Sequence, residues 1–528
     1  MDEKSLTLGL FEPGMTPLHR AGVAGLHMTL QGLKERGRWF DGATWAPELT
    51  RVRLRVEGGW KPFMEWLFAE AFKIDEQGLI RFGAHEGQPM GDLERIHLTG
   101  ALYRTFLQHP QQNRIPAGTK NREVSLSLDG KGVVATYKPF SRPYAHATAA
   151  GEFHTTSAKG KPKVFQPILA VDRRGRLKGP CQIKGWLYPG AAERHSGLPG
   201  TEFEETPERL IALLFAPVAC LYYQVTQRMG DGRLQWSTAI VAPDVTDIPS
   251  FSRSYHHYLQ CRVRSLYAAG VGDAGLSALV ALKGERDVSA LGVRGVHVLT
   301  MGNAQWNPKQ QVKIAVLRIN SLSEPALDLF SLAWGAFKNQ VHVKDDGRFI
   351  VFPSVCRGLV ADNVAVGKDW FHGFSRLMGS GKLARTTRSE RKGLRMMTEQ
   401  VDWPMERDAL FVQAVHTAIR NRYGAMASRS QAKGEVPQFE REFEKIRTSL
   451  MRAKNAQTLR AELADLFARG GINKALQSHW KEILPIYTGT DWQRARDLAL
   501  LGLASYSGAG AKQVEAQIDD VKEEEGEL

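Results

Sequence analysis

What this sequence lacks narrows its chemistry before any pattern is read. Four cysteines, Cys181, Cys220, Cys261 and Cys356, are spread over 528 residues with no C-x-x-C pair. A disulfide scaffold and a zinc ribbon are thereby excluded, and ordinary reduced thiols remain. Long apolar runs are missing too. The longest, residues 210–223, has 14 residues with Pro217 inside it, short of the ~20 that cross a bilayer. Met-Asp-Glu-Lys at the start puts no cationic stretch ahead of an apolar one, which argues against a signal peptide. The expected compartment is the cytoplasm, with no membrane partner. Acids are short overall: 56 Asp+Glu face 70 Lys+Arg, a net +14. Residues 515–528 hold seven of the acids and one lysine, so the preceding 514 residues carry +20. Such an excess favours an anionic partner, nucleic acid first.

The pattern along the chain changes character once. Residues 5–10 alternate like a strand, and Thr16-Pro17 opens a helix with Val23, Leu26, Leu30 and Leu33 on one stripe. Further helices are expected over 60–72 and 93–107, and a hairpin over 122–138 around Asp129-Gly130-Lys131-Gly132. Residues 144–200 are basic and rich in Gly and Pro, with short strands at 164–171 and 182–188. Thr206 opens another helix, and 236–241 and 296–301 read as strands. From 376 to 395 come seven basic residues, one acid and three glycines, suited to a mobile connector or to a loop that contacts phosphates. Beyond it the spacing is purely helical: Phe439, Phe443, Ile446 and Leu450, then Leu459, Leu463 and Leu466, then Trp480, Ile483 and Leu484, then Trp492, Leu498 and Leu501. The expected class is α+β: a mixed region over 1–375, a basic linker over 376–395, a helical bundle over 396–507 and a disordered acidic tail over 508–528.

Enzyme signatures fail on inspection. Gly270-Val-Gly-Asp-Ala-Gly275 matches G-x-G-x-x-G, but residues 262–269 ahead of it read as helix, whereas a dinucleotide site needs a strand there. Gly379-Ser-Gly-Lys382 is reminiscent of a P-loop, yet Arg376 replaces the first glycine and Leu383 the metal-binding hydroxyl. His256, His257 and Cys261 lack a second pair at ligand spacing and read as structural. No His-Asp dipeptide and no G-x-S-x-G elbow occur. Scattered carboxylates such as Asp231, Asp244 and Asp247 are the remaining route to a nuclease. No catalytic residue, metal or cofactor is assigned.

Binding features are stronger. Residues 301–311 form a polar loop between two apolar strands. Asn303, Gln305 and Gln310 carry the amides that read adenine bidentately, Lys309 reaches a guanine or a phosphate, and Trp306 can wedge or stack. The bland alternative is a polar turn with Trp306 packed on the core. Lys382, Arg385, Arg388, Arg391 and Lys392 have the composition of a backbone contact, and Arg420, Arg422, Arg429 and Lys433 form a second basic cluster around Tyr423.

Three stretches, LFEPGMTPLHRAG at 10–22, TMGNAQWNPKQQ at 300–311 and WQRARDLALLGLASY at 492–506, resemble the large subunit of Cascade, the type I CRISPR interference complex, in the branch related to a fruiting-body developmental protein. The resemblance implies an irregular α+β N-terminal domain, a C-terminal bundle similar to a Cascade small subunit, and no nuclease activity. It implies guide RNA, target DNA and repeated backbone subunits as partners, inspection of a protospacer-adjacent motif, R-loop stabilisation, and docking of a helicase-nuclease or a transposon target-selection protein. Guide pairing carries the sequence information in such systems, so the protein reads only a few base pairs. Met396, Met397 and Met405 stand where relatives start a separate small subunit. The competing reading is a stand-alone basic nucleic-acid-binding regulator, permitted by the same charge and loops.

Overall fold

Thr16 and Pro17 start the first helix as their residue types predict. Thr16 is extended, Pro17 lacks only an N–H that a helix start leaves unpaired, and Pro17–Glu35 is helical. The His19 ring accepts the Thr16 backbone N–H at 3.2 Å. These coordinates are a computed structural model that describes residues 5–106, 119–140, 153–156, 162–165, 169–173, 175–182, 204–228, 234–261, 265–304, 307–320 and 323–508. Two units result, residues 1–324 with 340–352, and residues 325–339 with 353–528.

In the first unit, Pro17–Glu35 packs on the helix Pro207–Ala219 and the strand Leu234–Val245, and is buried on nearly every side. The two helices touch backbone to backbone. A Cβ on Gly22 would lie 1.7 Å from the Ala212 carbonyl oxygen, and one on Gly25 2.3 Å from that of Phe215, so only glycine permits the approach. Around them stands a five-stranded sheet in the order Tyr267–Ala268, Leu221–Arg228, Leu234–Val245, Val293–Ala304 and Asn307–Asn320. It is antiparallel except at its first pair. The helix Val271–Lys283 covers it, with Gly275 where a Cβ would meet Ile319 and Val298 side chains at 2.6 and 2.8 Å. A smaller sheet sets Arg51–Val56 between Ser5–Gly9 and Ala43–Pro47. Its alternation is clean, with Val52, Leu54 and Val56 inside and three arginines outside.

The expected helices at 60–72 and 93–107 are Trp60–Ala71 and Asp92–Arg104. The hairpin is Arg122–Leu128 paired with Lys131–Tyr137. Its turn is tighter than expected, because Asp129 and Gly130 both take positive φ, 49° and 78°, and two residues suffice. Near the strands expected at 164–171 and 182–188, Pro162–Phe165 and Cys181–Gln182 are strands; residues 166–168 and 183–188 lie outside the described ones.

The second unit holds no strand among the described residues. Its long helix Glu406–Lys433 and the buried helix Trp492–Ser505 form the centre, and Phe439–Arg452 and Ala456–Arg469 bury their expected faces there. Asp408, fully buried, meets the Arg494 guanidinium at 2.5 Å, and Asp497 accepts the Gly373 and Ser375 N–H groups at 2.6 and 2.9 Å. The helical unit begins well before 376, because Trp370, Phe371 and Phe374 are buried, with the Arg494 guanidinium over the Phe371 ring at 4.9 Å. Met396 and Met397 lie inside the helix Arg391–Gln400, and Met405 is the residue ahead of Glu406–Lys433. The acidic tail from 509 onward lies outside the described residues.

Two stability predictions follow from this packing. Gly22→Ala is expected to cost about 3 kcal/mol by overpacking, measurable by chemical denaturation; an unchanged midpoint would mean that the helices do not meet there. His27, His97 and His416 are each held down to about 4, chiefly by burial, with the Arg104 charge adding to the effect at His97 and that of Arg420 at His416. The unfolded chain binds these protons near pH 6.5 and the folded one does not. Their contribution is therefore complete above pH 6.5 and is lost as pH falls toward 4. The unfolding temperature should drop across that window, and His97→Gln should flatten the slope.

Candidate nucleic-acid interface

The sheet does not end level. Pairing of Leu234–Val245 with Val293–Ala304 stops at Ser237 opposite Gly302, whereas Val293–Ala304 and Asn307–Asn320 continue together to Ala304 opposite Asn307. Beyond that point Leu234 to Trp236 pair only with Leu221–Arg228, and residues 303–304 and 307–311 pair only with each other, as a two-stranded ribbon. The polar loop expected at 301–311 is mostly strand. Asn303 pairs with Gln311, and the register then jumps to Ala304 with Asn307. Pro308, Lys309 and Gln310 are left as a bulge in the edge strand, where a proline without an N–H is tolerated and where bulges redirect a chain. Gln305 and Trp306 lie outside the described residues.

At the opposite end of these strands, where Val245 pairs with Val293, the structure finds what the sequence concealed. Asp244, read as a candidate metal-binding carboxylate, is buried and surrounded by arginines: Arg20 at 2.6 Å, Arg294 at 2.8 Å and Arg318 at 3.7 Å. One acid against three cations leaves the spot positive, with Arg294 and Arg318 about half exposed. Burial and the Arg318 charge push His297 downward, so this histidine adds no charge. Asp247 is likewise occupied, accepting the Ser250 N–H and hydroxyl at the start of the helix Ile248–Gln260. Asp231 lies outside the described residues. His256 is exposed and bonded to Gln260, while Cys261 donates to the His257 carbonyl.

The glycine-rich motif requires a correction of premise. Residues 267–268 form a strand, and Val271–Lys283 is the helix that follows, so the order a dinucleotide site needs is present. The site is filled from within. Asp273 is fully buried and accepts the Ala269 N–H at 2.8 Å, which places a carboxylate at the helix start that a pyrophosphate would need.

In the second unit the basic segment is no loose linker. Gly381–Ser389 and Arg391–Gln400 are consecutive helices, the first capped by Ser380, whose hydroxyl accepts the Leu383 N–H. The one acid, Glu390, accepts from the Ser354 hydroxyl and from the Val355 and Cys356 N–H groups, and so holds the start of the helix Val355–Val364. Three of the expected backbone contacts are corrected. Arg388 is 3% exposed, bonded to Glu440 and stacked over the Phe443 ring at 4.1 Å. Arg422 is buried against Glu442, and Arg391 is buried as well. The counter-ions of Arg388 and Arg422 come from Phe439–Arg452, 52 and 20 residues along the chain, beyond any local count of charge. Lys382 and Arg385, three residues apart on one helical face, Lys392 on the next helix, and Arg420, whose guanidinium bonds the Tyr506 hydroxyl, are exposed. Arg429 and Lys433 are exposed near the end of the long helix.

Comparison with known proteins matches this layout at both ends. Residues 7–214 match the family model for the DevT N-terminal domain, and residues 399–528 that for the DevT C-terminal domain. The chain is thus similar to DevT proteins at both ends, which fits the developmental-protein branch of the Cascade large subunits that its sequence resembles. It is 29% identical over 560 positions, 99% of this chain and 91% of the other, to the CRISPR-associated protein Cas8a1/Csx13 of Myxococcus xanthus (strain DK1622). Among the described residues no helix is long and apolar enough to cross a membrane, and no group of three His, Cys, Asp or Glu side chains is placed to hold a metal ion.

Burial separates the structural arginines from the surface ones in a measurable way. Arg388→Ala and Arg422→Ala should each lower stability by about 2 kcal/mol, since each strands a carboxylate partner. Lys382→Ala and Lys392→Ala should stay within about 0.5 kcal/mol of wild type. Equal effects in urea denaturation for the two groups would contradict this assignment.

Proposed function

We propose that this chain is the non-catalytic large subunit of a guide-RNA-directed type I CRISPR surveillance complex, and that its two-stranded ribbon reads the protospacer-adjacent motif in target duplex. The ribbon carries this reading. A two-stranded β-ribbon has the width that a major groove admits, and amide and lysine side chains are the groups that read base edges there. Asn303, Gln305, Lys309 and Gln310 are the readers, and Trp306 is the wedge that starts opening of the duplex. Lys382, Arg385, Lys392 and Arg420 hold backbone phosphates of the opened strand. The guide RNA and repeated backbone subunits supply sequence specificity, so a few base contacts and many phosphate contacts suffice. A helicase-nuclease or a transposon target-selection protein then acts on the opened DNA. Asp244, Asp247 and Asp273, engaged by arginines, a helix cap and a turn, support the non-catalytic role.

The assembled complex tests this reading. Alanine at Asn303, Lys309 and Gln310 together should abolish preference among duplexes that differ only in the flanking motif, each lost base contact being worth about 1–3 kcal/mol of discrimination. Binding of wild type should fall by roughly 10³ to 10⁵ between 50 and 200 mM salt if six to ten phosphates are held. Unchanged motif preference in the triple variant would refute the ribbon as reader. Purification without guide RNA or backbone subunits would favour a stand-alone regulator.

A further inference from the structure

The first unit contains a groove of about 440 Å³ between the helix Asp92–Arg104, the strands Lys131–Tyr137 and Phe349–Phe352, and the sheet strands Leu221–Arg228 and Leu234–Val245. That volume falls within the roughly 300–1,000 Å³ of small-ligand sites. Two large rings line it and remain open to solvent, Trp236 at 40% and Tyr103 at 41% exposure. Tyr103 is held edge-on against Phe140 at 6.1 Å. Three cations join them. Arg104 is fixed by its bond to the Thr238 hydroxyl at 3.0 Å, Lys138 is exposed, and Arg348 is exposed in a solvent-facing pair with Asp346, an arrangement that holds a side chain only weakly. Gln224 adds a carboxamide that both donates and accepts. No Asp or Glu is among the described residues that line the groove.

Aromatic faces beside cations, with no carboxylate to repel phosphate, are the chemistry of single-stranded nucleic-acid sites: bases stack on the rings and the backbone follows the charge. We infer that this groove takes one unstacked nucleotide of a single strand, its base against Trp236 and Tyr103, its base edge on Gln224 and its flanking phosphates on Arg104, Lys138 and Arg348. The inference rests on the reading of the chain as a nucleic-acid-binding subunit and adds a site separate from the ribbon. None of its residues stands out in the sequence, because they come from five elements between positions 103 and 348.

The test uses the full-length chain and fluorescein-labelled ten-residue oligouridylate and oligothymidylate, read by anisotropy. Trp236→Ala should weaken binding about tenfold. Lys138→Gln with Arg348→Gln should make the salt dependence shallower by about 1.4 in log–log slope, two phosphate contacts fewer on a single strand. A larger effect on the RNA oligomer assigns the groove to the guide, and a larger effect on the DNA oligomer to the displaced strand; both support a nucleotide site. Wild-type binding in both variants overturns the inference, as does protection of Trp236 by a protein partner in a complex freed of nucleic acid. If Trp236→Ala does not fold, the exposed double variant decides alone. Loss of motif preference in the ribbon variant with oligomer binding intact bears only on the ribbon, so the two readings fail separately.

Discussion

A chain with this excess of positive charge draws arginines inward where the fold supplies a polar partner, most often a carboxylate, and that constraint organises both units. Asp244 gathers Arg20, Arg294 and Arg318 at the end of the sheet away from the ribbon. Glu440 and Glu442 take Arg388 and Arg422 into the helical unit, and Asp408 takes Arg494. An uncompensated guanidinium in such places would be expelled, because burying a charge without a partner costs far more than packing returns. Acids are the scarcer partner, a few of them serve the interior, and the cations those do not engage help to define the outer surface. What a polyanion can meet is thus a remainder, set by which arginines the fold has already used.

This explains which parts of the molecule could be read in one dimension. Helices and strands with regular apolar spacing stood out, among them Pro17–Glu35, the 122–137 hairpin and the faces of Phe439–Arg452 and Ala456–Arg469, because periodicity is a local property. The polar stretch at 303–311 was also visible as composition. Its form was not, since whether it is a loop or a ribbon depends on how far two strands stay paired after a third has parted from them. Burial of Arg388, Arg391 and Arg422 was invisible for a sharper reason. A local tally finds one acid among seven bases in 376–395, and that acid, Glu390, belongs to another helix's start, while the counter-ions of Arg388 and Arg422 lie in Phe439–Arg452. The helical expectation for 262–269 failed because a two-residue strand, Tyr267–Ala268, owes its conformation to its neighbour at Gln224 rather than to its own pattern.

Glycine supplies a second constraint, of shape rather than charge. Gly22 and Gly25 let two apolar helices share a surface with no side chain between them, and Gly275 lets another helix lie flat on the sheet. The sheet is therefore backed firmly on the side from which the ribbon emerges. A two-stranded element is marginal by itself, and continuity with five strands gives it a stiff root.

Anchoring of the basic helices by Glu390 has a consequence for how a strand would be held. Had residues 376–395 been slack, every docking event would freeze some twenty residues, at about 1–2 kcal/mol for each backbone position immobilised. Here the cations are already in place before any polyanion arrives, so attraction is not spent on ordering the chain. Contact made on such terms forms quickly, breaks quickly and responds directly to ionic strength, which suits a surface that must sample many sequences and linger on few.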